Sequence, residues 1–225
     1  MGKDLALLHH KILVGEFFGT VDYESALDRQ LRTHRGVLSG TQPHSLLLLE
    51  HPPVYTLGKR ASEKNILTAK TVIEKMGARV LRSDRGGDVT FHGPGQLVGY
   101  PIVNIKALGK TFAWYIGRLL EAVCGACQEL GVATTADMER PGVYVASGEK
   151  IGSVGVRLSQ GVTYHGFSLN VGTDLSWYDH IVACGLRGVG ATSLEKELGT
   201  ALSLAAVGDL VGKQLAQRMG LEWQV

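Results

Sequence analysis

Arg85 to Val103 reads RGGDVTFHGPGQLVGYPIV, and the fold is organised around it. Gly86, Gly87, Gly93, Pro94 and Gly95 bracket a short alternating run, so the backbone must turn sharply and approach other groups closely. From Asp88 to Val103 the pattern predicts a strand, a turn over Gly93 to Gly95 and a second strand. The segment is either the floor of a ligand site or a glycine-rich strand with tight turns. Arg85 and His92 at its flanks favour the first.

Upstream, DYESALDRQLRTHR (22–35) puts Tyr23, Ala26, Leu27, Gln30, Leu31 and His34 on one helical face, with Gly36 as the expected stop. Ser45 to Leu49 is a buried strand, Val54 to Leu57 resumes it, and a short helix before Gly77 leads to a strand at Arg79 to Leu81. Downstream, a helix runs from Phe112 to Leu130 between the caps Thr111 and Gly131, with Phe112, Ile116, Leu119, Leu120, Val123, Cys127 and Leu130 in one stripe. Strands follow near 132–135 and 142–145. Lys150 to Leu158 and Val162 to Val171 pair through a Gln160-Gly161 hairpin. Asp174 to Gly190 is irregular, Thr192 caps a short helix with Glu195 returning to it, and a last helix covers 203–219. Helices and strands intersperse without a strict βαβ rhythm, so an α/β protein of the α+β type is expected, with a mixed, largely antiparallel sheet packed with helices.

The chain has 225 residues, 44% of them hydrophobic, which supports a substantial core and one domain across 1–225. A net charge of +2 and the lack of a basic run with interleaved aromatics argue against nucleic acid as a partner. Basic spots at Lys59, Arg60 and Lys64, and at Arg79, Arg82 and Arg85, suit either an acidic partner or plain solvent. Three cysteines fit a reducing compartment. With no signal peptide, no membrane-length apolar run and Ala6 where N-myristoylation needs Ser or Thr, a cytoplasmic protein that does not engage a membrane is expected. The 30 glycines, roughly twice usual usage, imply many tight turns.

Three patterns invite a reading that their context does not support. Cys124 and Cys127 have CxxC spacing but lie inside the long helix, where they serve as small core residues. Gly109-Lys110-Thr111 lacks the upstream glycine of a phosphate loop, whose place Asn104 takes. His9, His10, His34, His44 and His51 show no ligand spacing, so surface or core roles are expected and no metal or cofactor is implied.

Cys184 differs from the other cysteines because it sits in an irregular loop beside Gly185, where its sulfur can be exposed to act as a nucleophile; an ordinary buried thiol is the alternative. Lys150 shares a strand face with Gly152, Val154, Val156 and Leu158 by alternation, which makes it a candidate base, though a lysine at a strand end is often solvent-facing. A two-residue turn would pair Val156 with His165 and point Lys150 and His165 to the same side, making His165 a supporting candidate.

Taken together, RGGDVTFHGPGQLVGYP, GEKIGSVGVR, YHGFSLNV and Ala183-Cys184-Gly185 resemble the lipoyl(octanoyl) transferases, relatives in fold of the biotin and lipoate ligases. The resemblance spans most of the chain. It implies Cys184 as the acyl-thioester nucleophile and Lys150 as the residue that activates it. Substrate contacts carried over are Arg85, Gly86, Gly87, Asp88, Val89, Thr90, Phe91 and His92, then Ser153, Val154 and Gly155, then Gly166, Phe167 and Ser168. Phe167-Ser168 departs from the more aliphatic pair expected after His165-Gly166. The implied donor is octanoyl-acyl carrier protein. The implied acceptors are lipoyl domains of 2-oxoacid dehydrogenase complexes and the glycine cleavage H protein, with no ATP required. Rival readings are an ATP-dependent lipoate or biotin ligase of the same fold, and a non-catalytic module that docks acyl carrier or lipoyl domains.

Overall fold

The computed structural model describes residues 11–225. His9, His10 and the start MGKDLA lie outside them. The run Ser45 to Leu49 explains the layering. It lies in β2 (His44–Glu50), where Leu46 and Leu48 enter a core on one face of the sheet and Leu47 and Leu49 a core on the other. Burial on both faces is what a continuous apolar strand records.

Eight strands form the main sheet in the order β11-β1-β2-β6-β10-β9-β8-β7. They are β1 (Ile12–Thr20), β2, β6 (Gln96–Ile102), β7 (Thr134–Asp137), β8 (Gly142–Val145), β9 (Lys150–Ser159), β10 (Val162–Asn170) and β11 (Glu222–Gln224). β1 runs parallel to β2 and β11, and the other pairs are antiparallel. A second sheet, β4-β3-β5, is built from β3 (Val54–Leu57), β4 (Arg79–Arg82) and β5 (Val89–His92). Helix α1 (Tyr23–Ser39) covers one face of the main sheet through Ala26 and Val37. The short α2 (Lys70–Lys75) buries Ile73 in the core of the small sheet. On the opposite face of the main sheet, α3 (Phe112–Glu129) and α5 (Leu204–Met219) pack Leu119, Val123, Val211 and Leu215 against Leu97, Phe167 and Leu169. The expected α+β architecture with a largely antiparallel sheet is present.

Several expected boundaries move, each for a local reason. Helix α1 passes through Gly36 and ends at Gly40, whose φ of 75° takes the left-handed cap. Gly36 is small because the Gln42 side chain occupies the space a Cβ would need. The short helix α4 (Leu194–Leu198) is capped by Ser193, not Thr192, through Lys196 N–H to Ser193 Oγ at 3.2 Å. Thr192 is buried and donates instead to Glu197, while Glu195 accepts from Leu202 N–H. Phe112, the expected start of the α3 stripe, is 38% exposed.

The turn over Gly93 to Gly95 does not close a hairpin; it carries the chain from the small sheet into the main one. Gly95, at φ 76°, donates from its N–H to Glu50 Oε2 at 2.9 Å, and its carbonyl accepts from Val171 and Gly172 N–H. A side chain there would meet the Gly172 backbone. The edge strand β5 of the small sheet is thus joined to β6, an interior strand of the main sheet.

Gly166 on β10 leaves room for the Gly99 carbonyl and the Pro101 ring of β6. Gly166→Ala should therefore lower unfolding free energy by about 1–3 kcal/mol, the usual cost of overpacking. Urea denaturation reads this, and an unchanged midpoint would show that β6 yields.

Candidate active site

The site is assembled where β9 and β10 depart from regular alternation. The hairpin forms as expected, with Val156 opposite His165, and Gln160 and Gly161 at φ 52° and 87° supply the paired left-handed residues of a type I′ turn. The facing of Lys150 differs. Val143 pairs with Gly152 but Tyr144 pairs with Lys150, leaving Ile151 as an extra residue. Such a bulge re-aims the residues before it. Ile151 joins Val154 and Val156 on the core face, and Lys150 is turned off the face it was expected to share with them.

Lys150 is 7% exposed, and its Nζ donates to Cys184 Sγ at 3.3 Å while lying 5.2 Å from the Tyr144 ring centroid. Cys184 occupies a left-handed conformation, φ 55° and ψ 17°, inside the 3₁₀ turn Ala183–Gly185. A non-glycine residue there is uncommon and must be held by its surroundings. Val182 N–H donates to Asn65 O at 2.8 Å on one side. On the other, Lys150 N–H donates to Gly190 O at 2.8 Å and Thr192 N–H to Lys150 O at 3.0 Å. The backbone of Lys150 thereby holds the far end of the loop that presents the sulfur to its amine.

Asp88 of the RGGD segment fastens the same turn from beneath. Its carboxylate accepts from Ser62 N–H, Asn65 Nδ2 and Val89 N–H. The Gly185 backbone lies so close that a Cβ there would stand 2.9 Å from Asp88 Oδ2.

His165 reaches the site by a different device, a φ of 55° in mid-strand. It and its neighbour Tyr164 both donate to Asp84, His165 Nε2 at 2.7 Å and Tyr164 OH at 2.6 Å, which regular alternation would forbid. The paired hydrogen bonds hold Asp84 well below the usual carboxylate range, and burial keeps His165 neutral by lowering its pKa.

A cavity of about 700 Å³ opens beside Lys150, bordered by Ser153, Ser168, Tyr178, Val182 and Arg187. A narrow space of about 40 Å³ adjoins it, bordered by Arg85, Thr90, His92, His165 and Cys184. Ser153 and Ser168 border both. Of the other predicted contacts, Gly87, Asp88, Val154, Gly155, Gly166 and Phe167 also border the narrow space. Gly86 packs its backbone on β9, donating to Val156 O at 3.2 Å. Val89 and Phe91 point away into the core of the small sheet, where the Phe91 ring stacks on Trp177 with centroids 5.3 Å apart. Cys124 and Cys127 are core residues of α3, with burial pushing the Cys127 thiol up to about 12.

Sequence reasoning missed a polar wall behind the narrow space. His92 Nδ1 donates to Gln96 Oε1 at 2.7 Å, and Gln96 Nε2 donates to Asn170 Oδ1 at 2.9 Å and Tyr178 OH at 3.0 Å. His51, set aside as one of the scattered histidines, packs its ring on Tyr23, His92 and Tyr100. Its Nδ1 must donate to Val21 O, at 2.6 Å, so Nε2 accepts from Tyr100 OH at 2.7 Å. No spacing in the sequence marks these residues; they come from strands and a helix far apart in the chain.

The description "Lipoyl protein ligase A/B catalytic domain" matches residues 22–216. An octanoyltransferase from Rubrobacter xylanophilus is 46% identical over 84% of this chain and 85% of its own length. Among solved structures, a lipoate-protein ligase A bound with ATP has a TM-score of 0.74 at 15% identity, covering 96% of this chain and 87% of its own. The biotin protein ligase from Aquifex aeolicus has a TM-score of 0.51 at 16% identity, covering 93% and 68%. These two share the fold.

Burial lowers the His51 pKa from 6.5 to about 4. Its folded-state pKa is depressed, so its contribution to stability is complete above pH 6.5 and is lost as pH falls toward 4. By linkage the loss approaches roughly 3 kcal/mol. Chemical denaturation at stepped pH should show a steeper fall over that window in the parent protein than in His51→Asn; equal slopes would contradict the assignment.

Proposed function

This chain belongs to the lipoyl protein ligase A/B catalytic domain family and is an acyltransferase of the octanoyltransferase type, and from that premise we propose that it moves an octanoyl group from acyl carrier protein to a lysine of a lipoyl domain through a Cys184 thioester. The observation that carries this reading is the 3.3 Å contact of Lys150 Nζ with Cys184 Sγ beside an open cavity. At that distance the Lys150 amine is within reach of the thiol proton, which Sγ gives up as it attacks. The whole span 1–225 serves as one catalytic domain on this reading.

The steps balance as follows. Cys184 Sγ attacks the carbonyl carbon of the donor thioester, a new S–C bond forms, and the bond to the carrier sulfur breaks. The departing thiolate takes a proton from Lys150. The free amine of the acceptor lysine then attacks the acyl-enzyme, the Sγ–C bond breaks, and the surplus proton of the new amide returns to Lys150. Thioester exchange is nearly balanced and amide formation runs downhill, so no nucleotide is consumed. Donor and acceptor use the open cavity in turn, since the first leaves before the second enters. Gly87, Gly155 and Gly166 present backbone at the border of the narrow space, against which an extended chain can lie. The narrow space, about 40 Å³ as it stands, admits that chain only as bordering side chains yield.

The rival ligase reading needs ATP and has no use for a loop thiol. The docking-module reading forms no covalent bond. After mixing with octanoyl-acyl carrier protein and no ATP, intact mass should rise by one octanoyl group, and Cys184→Ser should show no rise. Absence of the adduct in the parent protein would overturn the proposal. Lys150→Ala should slow acylation by about 10²–10⁴-fold. An unchanged rate would remove Lys150 from this role.

A further inference from the structure

Arg85 carries a charge that the fold does not neutralise. The residue is 7% exposed. Its side chain donates only to neutral acceptors: Nε to Thr56 Oγ1 at 3.0 Å, Nη1 to Gly86 O at 2.9 Å and Nη2 to Thr56 O at 2.5 Å. Among the described residues no carboxylate forms an ion pair with it, whereas Arg79, Arg82, Arg118, Arg140 and Arg157 each have one. Asp88 is engaged with Ser62, Asn65 and Val89, and Asp84 with Tyr164, His165 and Arg157. A buried charge without a counter-ion is costly and calls for a compensating anion. A guanidinium has five N–H donors, so the three hydrogen bonds leave others uncommitted.

The candidate anion is close at hand, because Arg85 and Cys184 border the same narrow space. The other titratable groups facing that space do not supply a positive charge. His92 and His165 are kept neutral by burial, Tyr100 and Tyr23 are held as phenols by the same cause, and the Asp88 carboxyl is taken up by Ser62, Asn65 and Val89. Tyr178, from the adjoining cavity, is likewise held as a phenol by burial. That leaves the Arg85 guanidinium in the narrow space that Cys184 borders, with Lys150 Nζ 3.3 Å from the sulfur.

We propose that Arg85 is a second cationic group of the reaction, which steadies negative charge as it moves from Cys184 Sγ to the thioester carbonyl oxygen. The inference rests on the acyl-enzyme reading given above. When Sγ attacks, the carbonyl π pair moves to oxygen; when the intermediate collapses, that pair re-forms the double bond and the donor sulfur leaves. Arg85 donates hydrogen bonds to the oxyanion and keeps its protons throughout. A fixed donor already in place at the developing charge is the arrangement that lowers such barriers most. Lys150 handles the proton, and Arg85 handles the charge.

The test separates charge from structure. In the double variant Cys184→Ala, Lys150→Ala, which keeps Arg85 as the cation of the narrow space, calorimetry with octanoate and octanamide compares an anionic head with a neutral one. Octanoate should bind at least about tenfold tighter, Arg85→Lys should keep that preference, and Arg85→Gln should abolish it. Equal binding of the two ligands would overturn the role of Arg85. Binding of neither would instead overturn the acyl site on which the inference rests. With Cys184 and Lys150 restored, Arg85→Gln should slow acylation by octanoyl-N-acetylcysteamine about 10²–10³-fold, and Arg85→Lys should recover most of it. Equal losses in Lys and Gln variants would assign Arg85 to structure alone. Should Arg85→Gln fail to fold, the octanoate and octanamide comparison still decides.

Discussion

The contact between Lys150 and Cys184 is the constraint around which the rest of the site is arranged. Neither residue could reach the other from regular secondary structure. The bulge at Ile151 turns the lysine off the core face of β9, and the left-handed φ at Cys184 lifts the sulfur out of its turn. Both distortions are costly in isolation. They persist because the Lys150 backbone is bonded to Gly190 and Thr192, Val182 to Asn65, and Asp88 to the loop beneath Gly185. Position at the site comes from backbone hydrogen bonds more than from side-chain packing.

The glycine-rich segment has a sharper meaning in this setting. Val89 and Phe91 secure it to the small sheet, Asp88 steadies the cysteine turn, and Gly95 joins the two sheets. Thr90 and His92 face the narrow space, and Arg85 reaches it with its charge intact. One short stretch therefore supplies support, spacing and electrostatics at once. Burial lowers the pKa of His51, His92 and His165 and raises those of Tyr23, Tyr100 and Tyr178, so the guanidinium of Arg85 stands among neutral neighbours.

Much of this was legible in the residues. The apolar run of β2, the Gln160-Gly161 turn, the helix cap Thr111 and the core cysteines followed from local chemistry, as did the distinctness of a cysteine beside glycine in a loop. The facing of Lys150 and His165 did not, because strict alternation carries no mark of a bulge or of a positive φ at a non-glycine residue. The wall of His51, Gln96, Asn170 and Tyr178 was equally hidden, since only the assembled sheets bring those residues together. The cap of α4 lies one residue later than expected because Thr192 Oγ1 is engaged with Glu197, which leaves Ser193 Oγ to accept from Lys196 N–H.

The central claim is that the acyl group resides covalently on Cys184 between donor and acceptor, and it is tested most directly by a chase. Acyl-enzyme formed with labelled octanoyl thioester and freed of donor is mixed with a lipoyl domain alone. The account predicts that the label leaves Cys184 and appears in amide linkage on the lipoyl-domain lysine without ATP. Label that remains on the enzyme, or is released only as free octanoate, would contradict it.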